Sequence, residues 1–251
     1  MTEAELHYAL TLAQIGLAVL TFGILVFVRA PYGRHYHGGW GPSVPNWAGW
    51  VLMESPAVLL FSGVYLQGEH RFEVVPLLLL GLWQLHYVHR TFVFPFRVRS
   101  KRSMPLLVAG FGFAFNSLNA YVNARWISHL GDYPSAVLSE PWLWLGITVF
   151  AAGYVINKHA DRMLLALRRP GPTGYTIPRG WLYEWVSCPN YLGEILEWVG
   201  WAIATWSLPG LAFALYTAAN VGPRALSNHR WYRERFEDYP QQRKALIPFV
   251  L

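Results

Sequence analysis

The chain has 251 residues, of which 54% are hydrophobic and only 14% charged, with 13 Trp and a formal net charge of +6. Ordinary soluble domains carry about 25% charged residues, so a water-soluble globule is excluded as the first reading and a membrane protein takes its place. The single Cys188 excludes an internal disulfide framework and any cysteine-based zinc cluster.

Seven apolar stretches long enough to cross about 30 Å of hydrocarbon follow one another, near 6–28, 47–67, 72–94, 105–127, 141–166, 190–207 and 209–230. The first lacks a positively charged leader and is too long for a signal-peptide core, so it reads as a retained helix. The breaks carry turn chemistry: "PYGRHYHGGWGPSVPN", "QGEHR", "GDYPS" and "SLPG". The fold class expected is all-α, an integral membrane protein with seven transmembrane helices. Of all the Lys and Arg, only Arg71 and Arg125 fall on one side of these spans. Cytoplasmic loops and helix ends are the basic ones, so the N-terminus is expected outside and the C-terminus in the cytoplasm. The basic residues alternate with spans and form no continuous groove, which speaks against nucleic acid. Their surplus suits an anionic, phosphate-bearing ligand on the cytoplasmic side.

Ionisable groups within spans cost roughly 2.5–3.5 kcal/mol each on insertion, so each needs a reason. In "GWVLMESPAVLLF", Glu54 lies deep in the second span. It is either a packing carboxyl paired with an Arg or Tyr, or an acid in a dry pocket. In "QLHYVHRTFVF", Gln84, Tyr87 and Arg90 follow one helical face, with His86 and His89 beside it. The HxxH spacing is not the usual helical zinc pair and no third ligand stands near, so no metal is expected. Tyr87 is either an interfacial aromatic or a functional donor.

In "NKHADRMLLALRRPGPTGYTIPRG", Asn157, Asp161 and Arg168 form one stripe running to the cytoplasmic end of the fifth span, followed by a Gly/Pro-rich loop with Tyr175. It is either a solvated helix end or one wall of a ligand site. In "SCPNYLGEILEW", Asn190, Glu194 and Glu197 form a second stripe, faced by arginines in "GPRALSNHRWYRERFEDYPQQRKALIPFVL". There is no GxGxxG and no GxxxxGK[ST], so any nucleotide must be held by these helices themselves. Carboxylates suit groups that donate hydrogen bonds, such as a carboxamide NH₂ or a ribose hydroxyl, and arginines suit phosphates. Glu197 stays open, with an arginine as one expected partner.

Taken together, "WVLMESPAVLL", "HYVHRTFVFP" and the segment from "RRPGPTGYTIPRG" through "RKALIPF" resemble the steroid 5-alpha-reductase family, in a bacterial-type form, over nearly the whole chain. The resemblance implies a seven-helix membrane enzyme that uses NADPH to reduce the Δ4 double bond of 3-oxo-Δ4-steroids or a similar enone lipid. It implies that Glu54 and Tyr87 are the catalytic pair on the substrate's 3-keto oxygen. It implies cofactor contacts at Asn157, Asp161, Arg168, Tyr175, Asn190, Glu194, Arg224, Asn228 and Tyr232. Residues 1–104 would carry the substrate side and 105–251 the NADPH side of one compact membrane domain. The family often has Gln where Met53 stands in the substrate site, and a His-rich run where "SNHR" leaves His229 alone. The expected partners are an apolar steroid or lipid enone and membrane lipids, with no nucleic acid and no obligate protein partner. The membrane would be the inner membrane if the source is bacterial and the endoplasmic reticulum if it is eukaryotic. Two rivals stand beside this reading. One is an S-adenosylmethionine-dependent membrane methyltransferase of the isoprenylcysteine or phospholipid type, which shares a "PNYLGE…E" signature. The other is a non-catalytic sterol- or lipid-binding protein.

Overall fold

A computed structural model describes residues 1–29, 39–98, 103–167 and 175–251. The chain is mostly helical. Its eight α-helices among the described residues are α1 (Glu3–Phe27), α2 (Asn46–Tyr65), α3 (Val74–Phe92), the single turn α4 (Phe94–Arg97), α5 (Leu106–Arg125), α6 (Pro141–Ala166), α7 (Pro189–Thr205) and α8 (Leu208–Arg235). Each of the seven apolar stretches contains one long helix. The last runs on to Arg235, five residues past its expected end.

Local chemistry sets the helix ends. Thr2 and Glu5 form a reciprocal capping box at the start of α1 (Glu5 N–H to Thr2 Oγ1 3.2 Å, Thr2 N–H to Glu5 Oε2 2.8 Å). In "SLPG", Trp206 takes a left-handed backbone (φ 43°) to close α7, and Ser207 Oγ accepts from Gly210 N at 3.1 Å to open α8. Two short strands, β1 (Ser43–Pro45) and β2 (Ser103–Pro105), pair antiparallel with Val44 opposite Met104. Each leads directly into a helix, so this ribbon aligns the starts of α2 and α5. Periodicity could not reveal three-residue strands that end in proline.

The helices pack as α1 on α8, α2 on α5 and on α3, α6 on α7, and α7 on α8. The α6–α7 contact is backbone to backbone. A Cβ on Gly153 would strike Glu197 N, on Gly193 Asn157 N, and on Gly200 Phe150 N. These glycines let two antiparallel helices close until Asn157 and Asp161 face Asn190. Aromatic rings fill the centre: Trp83 packs on Phe61 (4.3 Å between centroids), Trp201 (5.1 Å) and Trp198 (5.4 Å).

The first helix is inside out relative to a soluble amphipathic helix. Its buried residues are His7, Thr11, Gln14 and Ala18, while Val19, Leu20, Phe22 and Phe27 are exposed. The inward polar groups are bonded: His7 Nε2 to Val122 O at 2.8 Å, and Gln14 Nε2 to Asn119 Oδ1 at 2.9 Å. Helices α1 and α2 are long and apolar enough to cross a membrane.

Candidate active site

Glu54 sits on α2 facing α3 and is 8% exposed. Two hydrogen bonds set the register of the two helices: Trp83 Nε1 donates to Ala57 O (2.8 Å), and Thr91 Oγ1 donates to Glu54 O (3.3 Å). Tyr87 lies one turn from each of these α3 residues, hence on the same face, beside the turn of α2 that carries Glu54. It is 4% exposed, its ring held against Trp83 (4.9 Å) and Trp198 (5.5 Å). Asn116 of α5 closes the carboxyl from the other side. Its Nδ2 donates to Glu54 Oε2 (3.1 Å) and to Met53 O (2.8 Å). Met53 also fills the space beside Gly112.

Arg90 is the hub of the site. Its guanidinium lies 3.7 Å from Glu54 Oε1, 3.7 Å from Asp161 Oδ2 and 3.9 Å from Glu194 Oε2, thereby joining α2, α6 and α7. Trp50 and Phe94, themselves edge to face, both lie against it, with Cζ 4.6 and 4.8 Å from the ring centroids. Helical spacing had already put Arg90 on the face of Gln84 and Tyr87; what it did not disclose is the reach of the guanidinium to Asp161 and Glu194 on other helices.

On the α6–α7 face, Asn190 Nδ2 donates to Asp161 Oδ1 (3.1 Å), and Asn157 Nδ2 donates to Asn190 O (2.9 Å). Among the described residues, Asn157 Oδ1 is buried with no hydrogen-bond partner. Thus Asn157, Asp161 and Asn190 meet across the α6–α7 contact, and Arg90 links Asp161 to Glu194. Glu197, left open by the sequence, pairs through Oε1 with His86 Nδ1 at 2.7 Å, inside the core.

Arg224, Asn228 and Tyr232 follow one face of α8. Arg224 donates to Tyr191 Oη (3.2 Å) and stacks on its ring (5.2 Å), while Asn228 Nδ2 reaches Tyr191 Oη (3.5 Å) and Cys188 Sγ (3.8 Å). Tyr232 stacks on Tyr239 (5.5 Å, 10° between planes). Tyr175 packs edge-on to Trp231 (5.2 Å), one residue away from Tyr232. Arg168 lies outside the described residues. The C-terminal segment ties this region down. Ser187 N and Cys188 N donate to Lys244 O (2.8 Å) and Ala245 O (3.1 Å), and Ser187 Oγ bonds His229 Nδ1 and Tyr239 Oη, both at 2.6 Å. Burial pushes the Tyr239 phenol above its ordinary pKa.

Fold and site define a helical-bundle protein whose ionisable chemistry is enclosed by apolar-faced helices. Residues 102–251 match the family model described as 3-oxo-5-alpha-steroid 4-dehydrogenase. The chain is 44% identical to the steroid 5-alpha-reductase DET2 of Gossypium hirsutum, over 97% of this chain and 96% of that protein. It is 38% identical to 3-oxo-5-alpha-steroid 4-dehydrogenase 1 of Bos taurus over 100% of this chain and 99% of that protein. The corresponding Homo sapiens protein is 37% identical, over 100% and 97%. The chain belongs to the 3-oxo-5-alpha-steroid 4-dehydrogenase family, and with it to the oxidoreductases acting on CH–CH groups.

Proposed function

We propose that the protein reduces the Δ4 double bond of a 3-oxo-Δ4-steroid, or of an enone lipid of similar shape, to the 5-alpha product at the expense of NADPH. The observation that carries this reading is the triple reach of Arg90. One guanidinium joins the Glu54 side of the bundle to the Asp161–Glu194 side. The substrate pair and the cofactor stripe then belong to one cavity. In this division residues 1–104 form the substrate side and 105–251 the cofactor side, with Asn116 reaching across to Glu54.

The residues present fit the cofactor. Among the described residues, Asn157 Oδ1 is a buried acceptor without a donor, one turn of α6 before Asp161. Such a group suits a carboxamide NH₂ or a ribose hydroxyl. Arg224, with Asn228 and Tyr232 along the same helix, is assigned to the phosphate-bearing part, together with Arg168 and Tyr175. When bound, NADPH would supply the hydride received at C5, and a proton from water or a nearby side chain completes the reduction at C4. The protein's part is electrostatic. Hydride arrival at the β-carbon of an enone moves negative charge to the 3-keto oxygen, and a hydroxyl donor held there is worth about 3 kcal/mol. Tyr87 supplies that donor. Glu54 shares the oxygen or orients the phenol, and Asn116 and Arg90 fix the carboxyl in place. The Trp83–Trp198–Tyr87 packing keeps water from the phenol.

The same reading places all seven long helices across a membrane, N-terminus outside. Glu3, Gln67 and Arg125 meet at one end: Arg125 bonds Glu3 Oε1 (2.5 Å) and Gln67 O (3.3 Å), and holds the Glu3 carboxyl below the usual range. Arg29 and Glu234 approach to 3.9 Å, joining the last turn of α8 to the end of α1. This is the pairing of ends that seven alternating spans require. The basic residues Arg34, Arg99, Lys101, Arg102, Arg168 and Arg169 lie outside the described residues; of the rest of the expected cytoplasmic set, Lys158, Arg162 and Arg224 sit within α6 and α8 rather than beyond their ends. The test is NADPH consumption by purified protein with a 3-oxo-Δ4-steroid, followed by product analysis at C5. No oxidation with steroid or any other enone offered would defeat the assignment.

A further inference from the structure

The segment that leads into α7 does not stand off the end of the bundle. It runs back along the flank of α6. A Cβ on Gly180 would meet Met163 at 3.6 Å, Tyr183 Oη donates to Ala160 O at 3.2 Å, and the Trp181 ring stands edge-on to His159, 4.5 Å between centroids. These partners step back from the C-terminal end of α6 toward its middle. His159 is exposed, and one turn before it on the same face is Val155, exposed at 61%. In the spanning arrangement that face of α6 is turned to lipid.

The side chains laid beside it are aromatic and point outward. Trp181 and Trp185 are 41% and 50% exposed, while Tyr183 and Val186 of the same segment are buried. The C-terminal segment is bonded to this one: Lys244 N donates to Trp185 O (2.8 Å), and Cys188 N donates to Ala245 O (3.1 Å). Beyond Ala245 the chain hooks back on itself, Leu246 N and Ile247 N both donating to Leu251 O (2.6 and 2.7 Å). The hook presents Phe249, exposed at 81%. Trp181 and Phe249 hold left-handed backbone, φ 52° and 64°, which residues with a side chain rarely adopt. The outward aromatics therefore sit in fixed turns and not on a loose end.

Charge is sorted in the same way. Arg179 and Lys244 are exposed in these two segments. Across 175–188 and 239–251 the sequence has a single carboxylate side chain, Glu184, and it accepts from Gly180 N. Outward tryptophans with free-standing cations, continuous with a lipid-facing helix flank, match the headgroup layer of a bilayer. Indole rings settle at that level, and Lys and Arg are drawn to anionic cytoplasmic leaflets.

We propose that the Trp181–Trp185 segment and the Phe249 hook form one in-plane anchor, seated in the headgroup layer of an anionic cytoplasmic leaflet. Because the two segments are bonded at Trp185 and Cys188, the anchor also sets the depth at which α7 begins. This rests on the membrane-spanning reading of the helices, but not on the reaction.

The test uses the full-length chain in nanodiscs of phosphatidylcholine with phosphatidylglycerol. Cys188 is buried and is the only cysteine, so a spin label on Trp185→Cys or Phe249→Cys reports the new site, with label-treated parent protein as the blank. Both replaced side chains are exposed, so the variants keep the fold. Val155→Cys supplies the value for lipid, and Asp238→Cys, at an exposed acid, the value for water. Depth is read as the ratio of relaxation by oxygen to relaxation by a nickel chelate. The ratio at Trp185→Cys and Phe249→Cys is expected to be several-fold that at Asp238→Cys and below that at Val155→Cys. In discs of phosphatidylcholine alone both labels should move toward water. A water-like ratio at either site in the mixed discs, or the same depth in both lipids, overturns the proposal. Dipolar broadening between labels in discs that hold two chains would give this surface to a second copy, and overturns it too. A water-like ratio at Val155→Cys would instead sink the membrane reading on which the anchor rests.

Discussion

His86 Nδ1 and Glu197 Oε1 stand 2.7 Å apart with both side chains buried, 3% and 0% exposed. The pair ties α3 to α7 one residue from Tyr87 and one turn from Glu194. Its expected service is to hold the phenol of the substrate side in register with the acids of the cofactor side. Removing one partner strands the other, at a cost of about 3 kcal/mol. Glu197→Ala should therefore lower the thermal midpoint in detergent clearly, whereas Glu197→Gln, which still accepts from the imidazole, should retain most of it. Equal melting of both variants with the parent protein would show that the contact contributes nothing.

Tyr87 and Glu54 are assigned to the developing charge on the keto oxygen, not to the cofactor. Tyr87→Phe keeps the ring packing on Trp83 and Trp198 and deletes only the hydroxyl. It should lower turnover about 100-fold or more, the usual effect of removing one donor to an oxyanion. Glu54→Gln should lose most turnover as well. NADPH titration followed by fluorescence should give affinities close to the parent's for both. Retained turnover in both variants would dismiss this pair.

Much of this arrangement was legible in the sequence, for identifiable reasons. Long apolar runs and turn residues give helices whose ends differ from expectation by a few residues, because hydrophobic length dominates. The stripes Asn157–Asp161 and Asn190–Glu194 were legible because helical spacing fixes which residues share a face. What joins the faces was not. Asn116 is one of several polar residues of α5, and only its placement against α2 singles it out. Arg90 had a sufficient explanation in charge topology, so nothing in its spacing demanded three carboxylates. Glu197 was left open, and its partner is His86 of α3 rather than an arginine. Partner choice across helices depends on tertiary approach, which periodicity does not encode.

That approach is set by glycine. Gly153→Ala places a methyl against Glu197 N and within 2.6 Å of Gly193 O, contacts that only backbone movement can relieve. It should destabilise the protein by about 3 kcal/mol and displace the Asn157–Asn190 contact, weakening NADPH binding at the same time. Gly63→Ala in α2, where nothing lies within 4 Å, is the control and should be neutral or slightly stabilising. Thermal unfolding of both variants, with cofactor titration of the folded protein, separates crowding from a general aversion to alanine.

Arg90 and Arg224 should fail in different ways. Arg224 touches Tyr191 and Asn220 on the α7–α8 side and is assigned to the cofactor alone. Arg224→Ala should raise the KM for NADPH and leave kcat at saturating cofactor largely intact, the pattern of lost uniform binding. Arg90 reaches both sides. Arg90→Met removes the cation that lies among Glu54, Asp161 and Glu194, leaving three carboxyl groups without their common counter-charge. Cofactor affinity and kcat should then fall together, and Arg90→Lys should restore little, since one ammonium lacks the planar fork that reaches three helices. Steady-state kinetics with NADPH as the varied substrate reads both quantities. If Arg90→Met changed only the KM for NADPH, Arg90 would belong to the cofactor side alone, and the joining of the two half-sites through it would be wrong.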